Sequence, residues 1–436
     1  MALLPDYSGS FDPNRQLADF SREFLVRLGQ EYLLIGHLID RVSQPLVAMS
    51  HGAKGYLTSG VEEWMGASPV YSKRMQRLMN FEGASVETVF KGIQLEVGAP
   101  QQFMDFQFRL DSDEYGEFWL AHCGALMDIE PHGERGVKLM CHDIEDPTFD
   151  ATAAATHPNM VMRPIHRPPR IDGPEGNGPG RHPHCRWKVY LSEDAQPYEQ
   201  HPNLDLIAGS LLAGVEVDRP EQDGEPGGWS DYSGSFDPAM QLADFSHSAL
   251  AALAQEFAVQ GHLIVRSYHV CVGANWGEAE AKTLGTRTSI GHAALAVERL
   301  KRLPGAEKGG IENIAKFIQL HPIFQPRSYV DLRVELTGER SARVAIGNCP
   351  ALEEKEDRSY FAGLSEAPPP MLEALVRQVD PLAECRPATV IGDERFAWEV
   401  AIDPSVEPAG PPDELNLAMM STGMRFKFEA RRRLRS

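Results

Sequence analysis

The segment Asp6-Tyr7-Ser8-Gly9-Ser10-Phe11-Asp12-Pro13 occurs twice in this chain of 436 residues, and its second occurrence runs from Asp231 to Pro238. The two occurrences are 225 residues apart, and 14 of the 16 positions in residues 6–21 are identical at that offset. The same offset pairs Gly36-His37-Leu38-Ile39 with residues 261–264, and Ile93-Gln94-Leu95 with residues 318–320. Self-similarity at a fixed distance is the signature of an internal duplication. We therefore predict a first repeat at residues 1–217, a polar linker at 218–230 and a second repeat at 231–436.

The spacing of apolar residues predicts helices followed by strands in each repeat. Residues 16–41 place apolar side chains at near-helical intervals, with Ser21 or Asp19 as the N-cap, and residues 71–95 form a second helical region. The period then changes to two, because Phe106, Phe108 and Leu110 alternate with polar neighbours as in a half-buried antiparallel strand. Further strands are expected at residues 117–122, 187–191, 343–347 and 398–402. Helices ahead of strands indicate an α+β fold, and two similar copies are expected to pack as a pseudo-dimer through the same face.

Composition and charge are typical of a soluble globular protein that avoids polyanions. Hydrophobic residues make up 42% of the chain, charged residues make up 24%, and the formal net charge is −20. Such a surface repels nucleic acid and anionic membranes, and the absence of a run of about 18 apolar residues predicts no membrane span. The N-terminal residues lack the layout of a secretory signal, and six cysteines without regular spacing do not indicate a disulfide framework. We expect a cytoplasmic protein whose partner is a small molecule, and homo-oligomerisation stays open.

Reactive side chains are concentrated in the first repeat, which holds 10 of the 15 histidines and three of the six cysteines. Positions shared by both copies are expected to serve the fold, whereas reactive positions found in one copy are candidates for chemistry. Thiolate and imidazole together suit a borderline-soft divalent cation. We therefore predict a metal site, with zinc as the metal, whose ligands are Cys141, His166, His184 and Cys185. The alternative is that these groups are ordinary buried thiols and surface imidazoles.

Charged residues close to these positions in the sequence are candidates for catalysis and for substrate binding. Glu145 or Asp143 would transfer protons, with His142 as a third catalytic candidate. Arg163 and Arg170 would hold an anionic end of the substrate. In a chain of this charge, an acidic surface loop is the simpler explanation of the two carboxylates.

Two further features leave alternatives open. A cysteine beside a histidine, at Cys141-His142 or at His122-Cys123, is a metal-free candidate for a thiolate nucleophile, although neighbours on a strand point to opposite faces. Residues 171–180, rich in Gly and Pro, lie in a loop that is 8 residues longer than its counterpart in the second repeat. This loop is a candidate lid or rim of a binding site.

The closing segment of each repeat carries a short motif. It reads Gly180-Arg181-His182-Pro183-His184-Cys185-Arg186-Trp187 in the first repeat and Gly392-Asp393-Glu394-Arg395-Phe396-Ala397-Trp398 in the second. This motif resembles the closing motif of vinyl-reductase-type (4-vinyl reductase) ligand-binding domains, and the segments around Cys141 and Cys349 are similar to those of the aminothiazoline-carboxylate hydrolase-like family. The resemblance implies a helix-then-sheet fold, a ligand pocket and zinc bound through cysteines and a glutamate, which carries over to Cys185 and Cys141. The glutamate and cysteine that usually precede the motif are absent at the expected spacing, and the second repeat lacks the closing cysteine.

These patterns predict a metal-assisted hydrolase or lyase that acts on a small, largely apolar molecule. The site would lie in the first repeat, between helices and sheet, and the second repeat would be a degenerate scaffold. The alternative is a non-catalytic protein that binds or senses a small molecule and holds a structural metal.

Overall fold

Two separate four-stranded antiparallel sheets, each packed against long helices, confirm the predicted α+β class. The computed structural model describes residues 3–173, 180–194, 198–306, 309–356 and 358–429. Each repeat contributes one sheet, and a continuous hydrophobic core joins the two repeats.

In the first repeat, long helices precede the sheet and a second group of helices interrupts it. The elements in chain order are α1 (Arg22–Leu38), α2 (Asp40–Leu78), α3 (Val86–Ile93), β1 (Met104–Ser112), β2 (Tyr115–Cys123), α4 (Gly124–Ile129), α5 (Gly133–Lys138), a π-helical turn (Leu139–Ile144), α6 (Glu145–Ala154), β3 (Met160–His166), β4 (Cys185–Leu191), α7 (Asn203–Ala208) and α8 (Leu211–Gly214). The apolar pattern does not predict the helices between β2 and β3, because α6 carries no marked apolar stripe.

The second repeat has the same order of helices and strands, with fewer described helices between its second and third strands. Its elements are α9 (His247–Trp276), α10 (Glu278–Leu300), α11 (Ile311–Leu320), β5 (Leu332–Gly338), β6 (Ser341–Ile346), α12 (Pro350–Glu353), α13 (Pro370–Val379), β7 (Ala383–Pro387), β8 (Phe396–Ile402) and α14 (Asp413–Met419).

The long helices begin at equivalent positions in the two repeats, and the chain changes direction at equivalent glycines. Ser21 is the N-cap of α1, as the sequence predicts, and Ser246 caps α9 in the same way, each hydroxyl accepting a hydrogen bond from a backbone N–H of the first turn. Gly52 within α2 has φ 67°, and Gly277 between α9 and α10 has φ 92°. A side chain would strain this left-handed backbone, which explains glycine at both positions. The chain therefore folds back at Gly52, and residues 53–78 are the counterpart of α10.

The two sheets share one strand order, β1-β2-β4-β3 in the first repeat and β5-β6-β8-β7 in the second. Their registers are equivalent, because Trp187 pairs with Phe118 and Trp398 pairs with Val344 on the neighbouring strand. Both tryptophans are buried. The closing motif therefore places one large ring from each repeat in the core.

The repeats pack as a pseudo-dimer in which equivalent residues make reciprocal ion pairs. Arg74 donates two hydrogen bonds, of 2.8 and 2.6 Å, to the carboxylate of Glu256 in the other repeat. Arg299 donates two, of 2.8 and 2.9 Å, to Glu31. At the offset of 225 residues, Arg299 is the counterpart of Arg74 and Glu256 is the counterpart of Glu31. The same face of each repeat is therefore used twice, as an isologous interface requires.

The duplicated segment at the start of each repeat docks on the other repeat. The Tyr232 hydroxyl donates to Gln94 Oε1 at 2.8 Å, and the equivalent Tyr7 hydroxyl donates to Gln319. The backbone N–H of Phe236 donates to Glu87 Oε1 at 2.9 Å. The near-identity of the two segments is explained by this shared docking role.

Two expectations from the sequence concern the surface. Within the described ranges, no helix combines the length and the apolar character needed to cross a bilayer. The candidate lid or rim at residues 171–180 falls largely outside the described residues, since 174–179 are not among them.

Candidate functional site

A cavity of about 100 Å³ lies in the first repeat between α2, the π-helical turn with α6, and the sheet. Most of its wall is apolar or aromatic, formed by Trp64, Tyr71, Ile93, Met104, Phe106, Phe118, Met140, Ile144, Phe149 and Met162. Three carboxyl groups, those of Asp40, Glu96 and Glu145, interrupt this apolar wall. A concave, largely apolar space with a few polar groups is typical of a small-molecule site.

Burial raises the pKa of all three carboxyl groups. The pKa of Glu96 is raised to about 7, and that of Glu145 is raised to about 8 with a further contribution from the charge of Asp146. Burial also raises the pKa of Asp40, against the opposing charge of Arg41, and burial together with the charge of Asp40 raises the pKa of Glu63. At neutral pH the cavity therefore holds both protonated and ionised acids.

Glu145 is placed at the cavity by the π-helical turn that ends immediately before it. The residue is half-buried as a whole, but its Oε2 atom is sealed from solvent and accepts no hydrogen bond from any described residue. A buried carboxyl oxygen without a partner costs free energy. Such an atom beside a cavity marks a place where a ligand would supply the missing partner.

A second group of polar and aromatic side chains in the cavity wall lies around Gly98. An added Cβ at Gly98 would lie 3.5 Å from Trp64 Cζ3, 3.6 Å from the Tyr71 hydroxyl and 3.7 Å from Glu96 Oε1. The indole N–H of Trp64 donates to Asp40 Oδ2 at 3.0 Å. We call Asp40, Trp64, Tyr71 and Glu96 the acidic–aromatic end of the cavity.

The basic groups of the cavity wall are neutral or already paired. Burial, with the charge of Arg41 as a second cause, lowers the pKa of His37 to about 3, so the ring is neutral at physiological pH. Arg41 Nε donates to Asp128 Oδ2 at 2.8 Å. Asp128 also accepts hydrogen bonds from Ser421 and Thr422 of the second repeat. This network fixes Arg41 and ties the cavity to the other repeat.

The three thiols of the first repeat share one buried neighbourhood with Glu145. Cys123, Cys141 and Cys185 are all buried. Burial raises the pKa of each thiol, and the charge of Glu145 raises it further. At neutral pH these groups are therefore thiols, an environment that disfavours the metal-free thiolate nucleophile. Of the predicted metal ligands, Cys141 and Cys185 lie in this neighbourhood, and Cys123 is an additional member.

The two predicted histidine ligands are engaged elsewhere. His166 Nε2 lies 3.1 Å from the carbonyl oxygen of Pro183. His184 is buried with its ring centroid 6.0 Å from that of His122, and burial followed by the charge of Arg170 lowers its pKa to about 4. Across the described part of the chain, no three His, Cys, Asp or Glu side chains are grouped closely enough to hold a metal ion. The four predicted zinc ligands therefore do not come together in the structure, and metal binding stays a prediction.

The other predicted catalytic and binding residues make structural contacts. His142 Nε2 lies 2.7 Å from the carbonyl oxygen of Pro168, and Asp143 faces Lys138 at 3.5 Å. Arg163 donates to the carboxylate of Asp150 at 2.6 and 2.7 Å, and Arg170 donates from Nε to Glu130 Oε1 at 2.6 Å. Of the predicted catalytic and substrate-binding residues, Glu145 is the one that lines the cavity.

The sequence analysis did not single out the acidic–aromatic end, although the duplication contained the signal. At the offset of 225 residues, the counterparts of Asp40, Trp64, Tyr71 and Glu96 in the second repeat are Val265, Ser289, Ala296 and His321. These polar and aromatic residues are present in one repeat and absent at the equivalent positions of the other. The same difference between the repeats indicated the histidines and cysteines as candidates for chemistry. Asp40, Trp64 and Tyr71 lie in α2 and Glu96 lies in the turn after α3, where single carboxylates and aromatic rings are common, so no sequence motif marks them.

Comparisons with known protein families, with characterised proteins and with solved structures find no match to the chain. The resemblance to vinyl-reductase-type and aminothiazoline-carboxylate hydrolase-like domains therefore stays a prediction. The fold and the cavity are the findings on which a function rests.

Proposed function

We propose that the first repeat binds a small, largely apolar molecule in this cavity and catalyses its hydrolysis or elimination, with Glu145 as the proton-transferring group. The observation that carries the proposal is the sealed, unpartnered Oε2 of Glu145 beside an apolar cavity. A volume of about 100 Å³ is of the order that holds one small ring.

The raised pKa of Glu145 suits it to general acid catalysis. With a pKa of about 8, the carboxyl group keeps its proton at neutral pH. A protonated carboxyl donates to a leaving group or a carbonyl oxygen, and the resulting carboxylate then accepts a proton in the second half of the reaction. Groups whose pKa lies near the working pH are the most effective in both roles.

One observation favours the non-catalytic alternative, a binding or sensing protein. The other predicted catalytic residues, His142 and Asp143, make contacts outside the cavity. Glu145 would therefore act without a second predicted group beside it. In a binding protein, the same carboxyl would donate a hydrogen bond to the ligand.

A cavity-filling variant with a matched control tests binding. Ala125 lines the cavity and is buried, and its counterpart in the second repeat is Ala351, also buried. Ligand-observed NMR with ethylbenzene, phenol and benzamide should detect binding to the wild type and to Ala351→Leu. Binding should be lost in Ala125→Leu, because the larger side chain fills the space. Equal binding by both variants would place the ligand elsewhere and refute the proposal.

A second measurement separates catalysis from binding. Wild type, Glu145→Gln and the exposed-site control Glu134→Gln are incubated with panels of small esters, amides and β-elimination substrates, and products are detected by mass spectrometry. We expect turnover by the wild type and the control, and a loss of about 100-fold or more in Glu145→Gln, the scale of general acid catalysis. Turnover that survives in Glu145→Gln would show that Glu145 is not the proton-transferring group, and an absence of turnover by the wild type would leave only the binding function.

A further inference from the structure

We propose that the acidic–aromatic end of the cavity receives a protonated amine, so that the ligand is a small organic ammonium ion with an apolar body. This inference rests on the proposed function, since it specifies the class of molecule that the same cavity takes. Asp40 and Glu96 would neutralise the positive charge, and Trp64 and Tyr71 would face it.

The first argument is geometric. Trp64 Cζ3, the Tyr71 hydroxyl and Glu96 Oε1 all lie between 3.5 and 3.7 Å from the one point where a Cβ of Gly98 would stand. The three groups therefore converge on the side of Gly98 that carries no side chain. An ammonium head in van der Waals contact with that face of Gly98 would have an indole ring, a phenol oxygen and a carboxylate as neighbours.

The second argument is the unsatisfied carboxylate. Asp40 is 9% exposed, and its Oδ1 atom finds no hydrogen-bond partner among the described residues. Its other oxygen accepts from Trp64, and Glu96 Oε2 accepts from the Ser72 hydroxyl at 3.3 Å. An ammonium group carries donors and no acceptor, which is what this arrangement lacks.

The third argument is charge. Of the described residues in the cavity wall, Arg41 is the one permanent cation, and its guanidinium is committed to Asp128. Burying these carboxyl groups costs free energy, because burial raises the pKa of Asp40 although the charge of Arg41 opposes the rise, and it also raises the pKa of Glu96. A ligand cation would offset that cost.

The second repeat supplies an internal comparison. The positions equivalent to Asp40 and Glu96 are Val265 and His321, and the His321 ring is held by the backbone, with Nε2 3.0 Å from the carbonyl oxygen of Ala293. The two carboxyl groups of the acidic–aromatic end therefore have no counterpart in the second repeat. Recognition of an amine is confined to the first repeat.

The test compares probes of equal shape and different charge on the full-length chain. Benzylamine carries the ammonium group, ethylbenzene replaces it by a methyl group, and benzoate reverses the charge. Isothermal titration or ligand-observed NMR should show benzylamine binding at least about tenfold more tightly than ethylbenzene to the wild type, with no binding of benzoate. Asp40→Asn and Glu96→Gln should each weaken benzylamine by about tenfold or more and leave ethylbenzene unchanged, whereas Glu134→Gln should change neither.

Gly98→Ala adds a measurement that does not remove charge. The added methyl group lies at ordinary contact distance from its neighbours, so the fold should tolerate it. It projects among Trp64, Tyr71 and Glu96, where it would exclude the ammonium head, and should weaken benzylamine more than ethylbenzene. Equal binding of benzylamine and ethylbenzene, unaffected by Asp40→Asn, would overturn the amine proposal and leave the proposed function intact. If neither probe binds the wild type, cavity binding itself fails and the amine proposal falls with it.

Discussion

The buried pair between Arg299 and Glu31 offers a sharp test of the pseudo-dimer. The Arg299 side chain is fully buried and that of Glu31 is 7% exposed. Arg299 Nη1 also donates to the carbonyl oxygens of Phe426 and Gly423, at 2.7 and 3.1 Å. Replacing Arg299 by methionine therefore removes the two hydrogen bonds that Glu31 accepts from it, and leaves the carbonyl groups of Gly423, Met424 and Phe426 with one donor fewer.

The expected cost is about 3–5 kcal/mol of unfolding free energy, the range for breaking one partner of a buried ion pair. Burial already raises the pKa of Glu31 despite the charge of Arg299, so in the variant the carboxyl should take up a proton, which limits the loss. Replacing both residues, as in Arg299→Met with Glu31→Leu, should recover most of the stability because no charge is left buried.

The assay is urea unfolding monitored by circular dichroism and tryptophan fluorescence, at one protein concentration and pH. The counterpart Arg74 is the matched control, since it makes the equivalent bidentate contact with Glu256 and binds the carbonyl oxygens of Ala213 and Val215 at 2.9 and 2.8 Å. Arg74→Met should therefore lose a similar amount. A loss below about 1 kcal/mol in both single variants would show that the reciprocal pairs do not hold the repeats together.

Two further outcomes follow from the site. Because burial raises the pKa of Glu145 from 4.5 to about 8, the unfolded chain loses this proton between those pH values while the folded chain keeps it, so the fold loses stability progressively as pH rises through that window. The stability gained by Glu145→Gln over wild type should grow by up to about 4 kcal/mol from about pH 5 to about pH 8 in urea unfolding, and a pH-independent difference would contradict the raised pKa. The zinc prediction is tested by metal analysis of purified protein: if it holds, zinc is present in the wild type and lost in Cys141→Ala and Cys185→Ala, the two predicted ligands that share one neighbourhood. A wild type without zinc would make the metal prediction wrong.

Much of the fold was predictable because it depends on local pattern. The helix N-cap at Ser21 and the alternation along β1 were predicted from residue spacing, and the structure confirms both. The duplication predicted equivalent sheets, which share one strand order. The helical interruption between β2 and β3 was not predicted, because its position depends on packing against α2 and not on an apolar stripe of its own.

The site was predicted only in part, for a physical reason. Histidine and cysteine are common metal ligands, which is why the sequence predicts His166 and His184 as zinc ligands. In the structure, Asp40 and Glu96 are unusual because their carboxyl groups are buried. Burial is a property of the folded chain, so the sequence alone does not reveal it. Glu145 was predicted as a proton carrier, but its unpartnered oxygen became visible only once the π-helical turn was placed.

Docking each opening segment on the opposite half has a consequence for how the protein evolves and behaves. Two identical subunits encoded by one gene must change together, whereas two covalently linked halves change separately. The two halves can then differ at equivalent positions, as Asp40 and Val265 do, while each continues to complete the interface of the other. Linkage also makes association intramolecular, so unlike an ordinary dimer the assembly does not come apart on dilution.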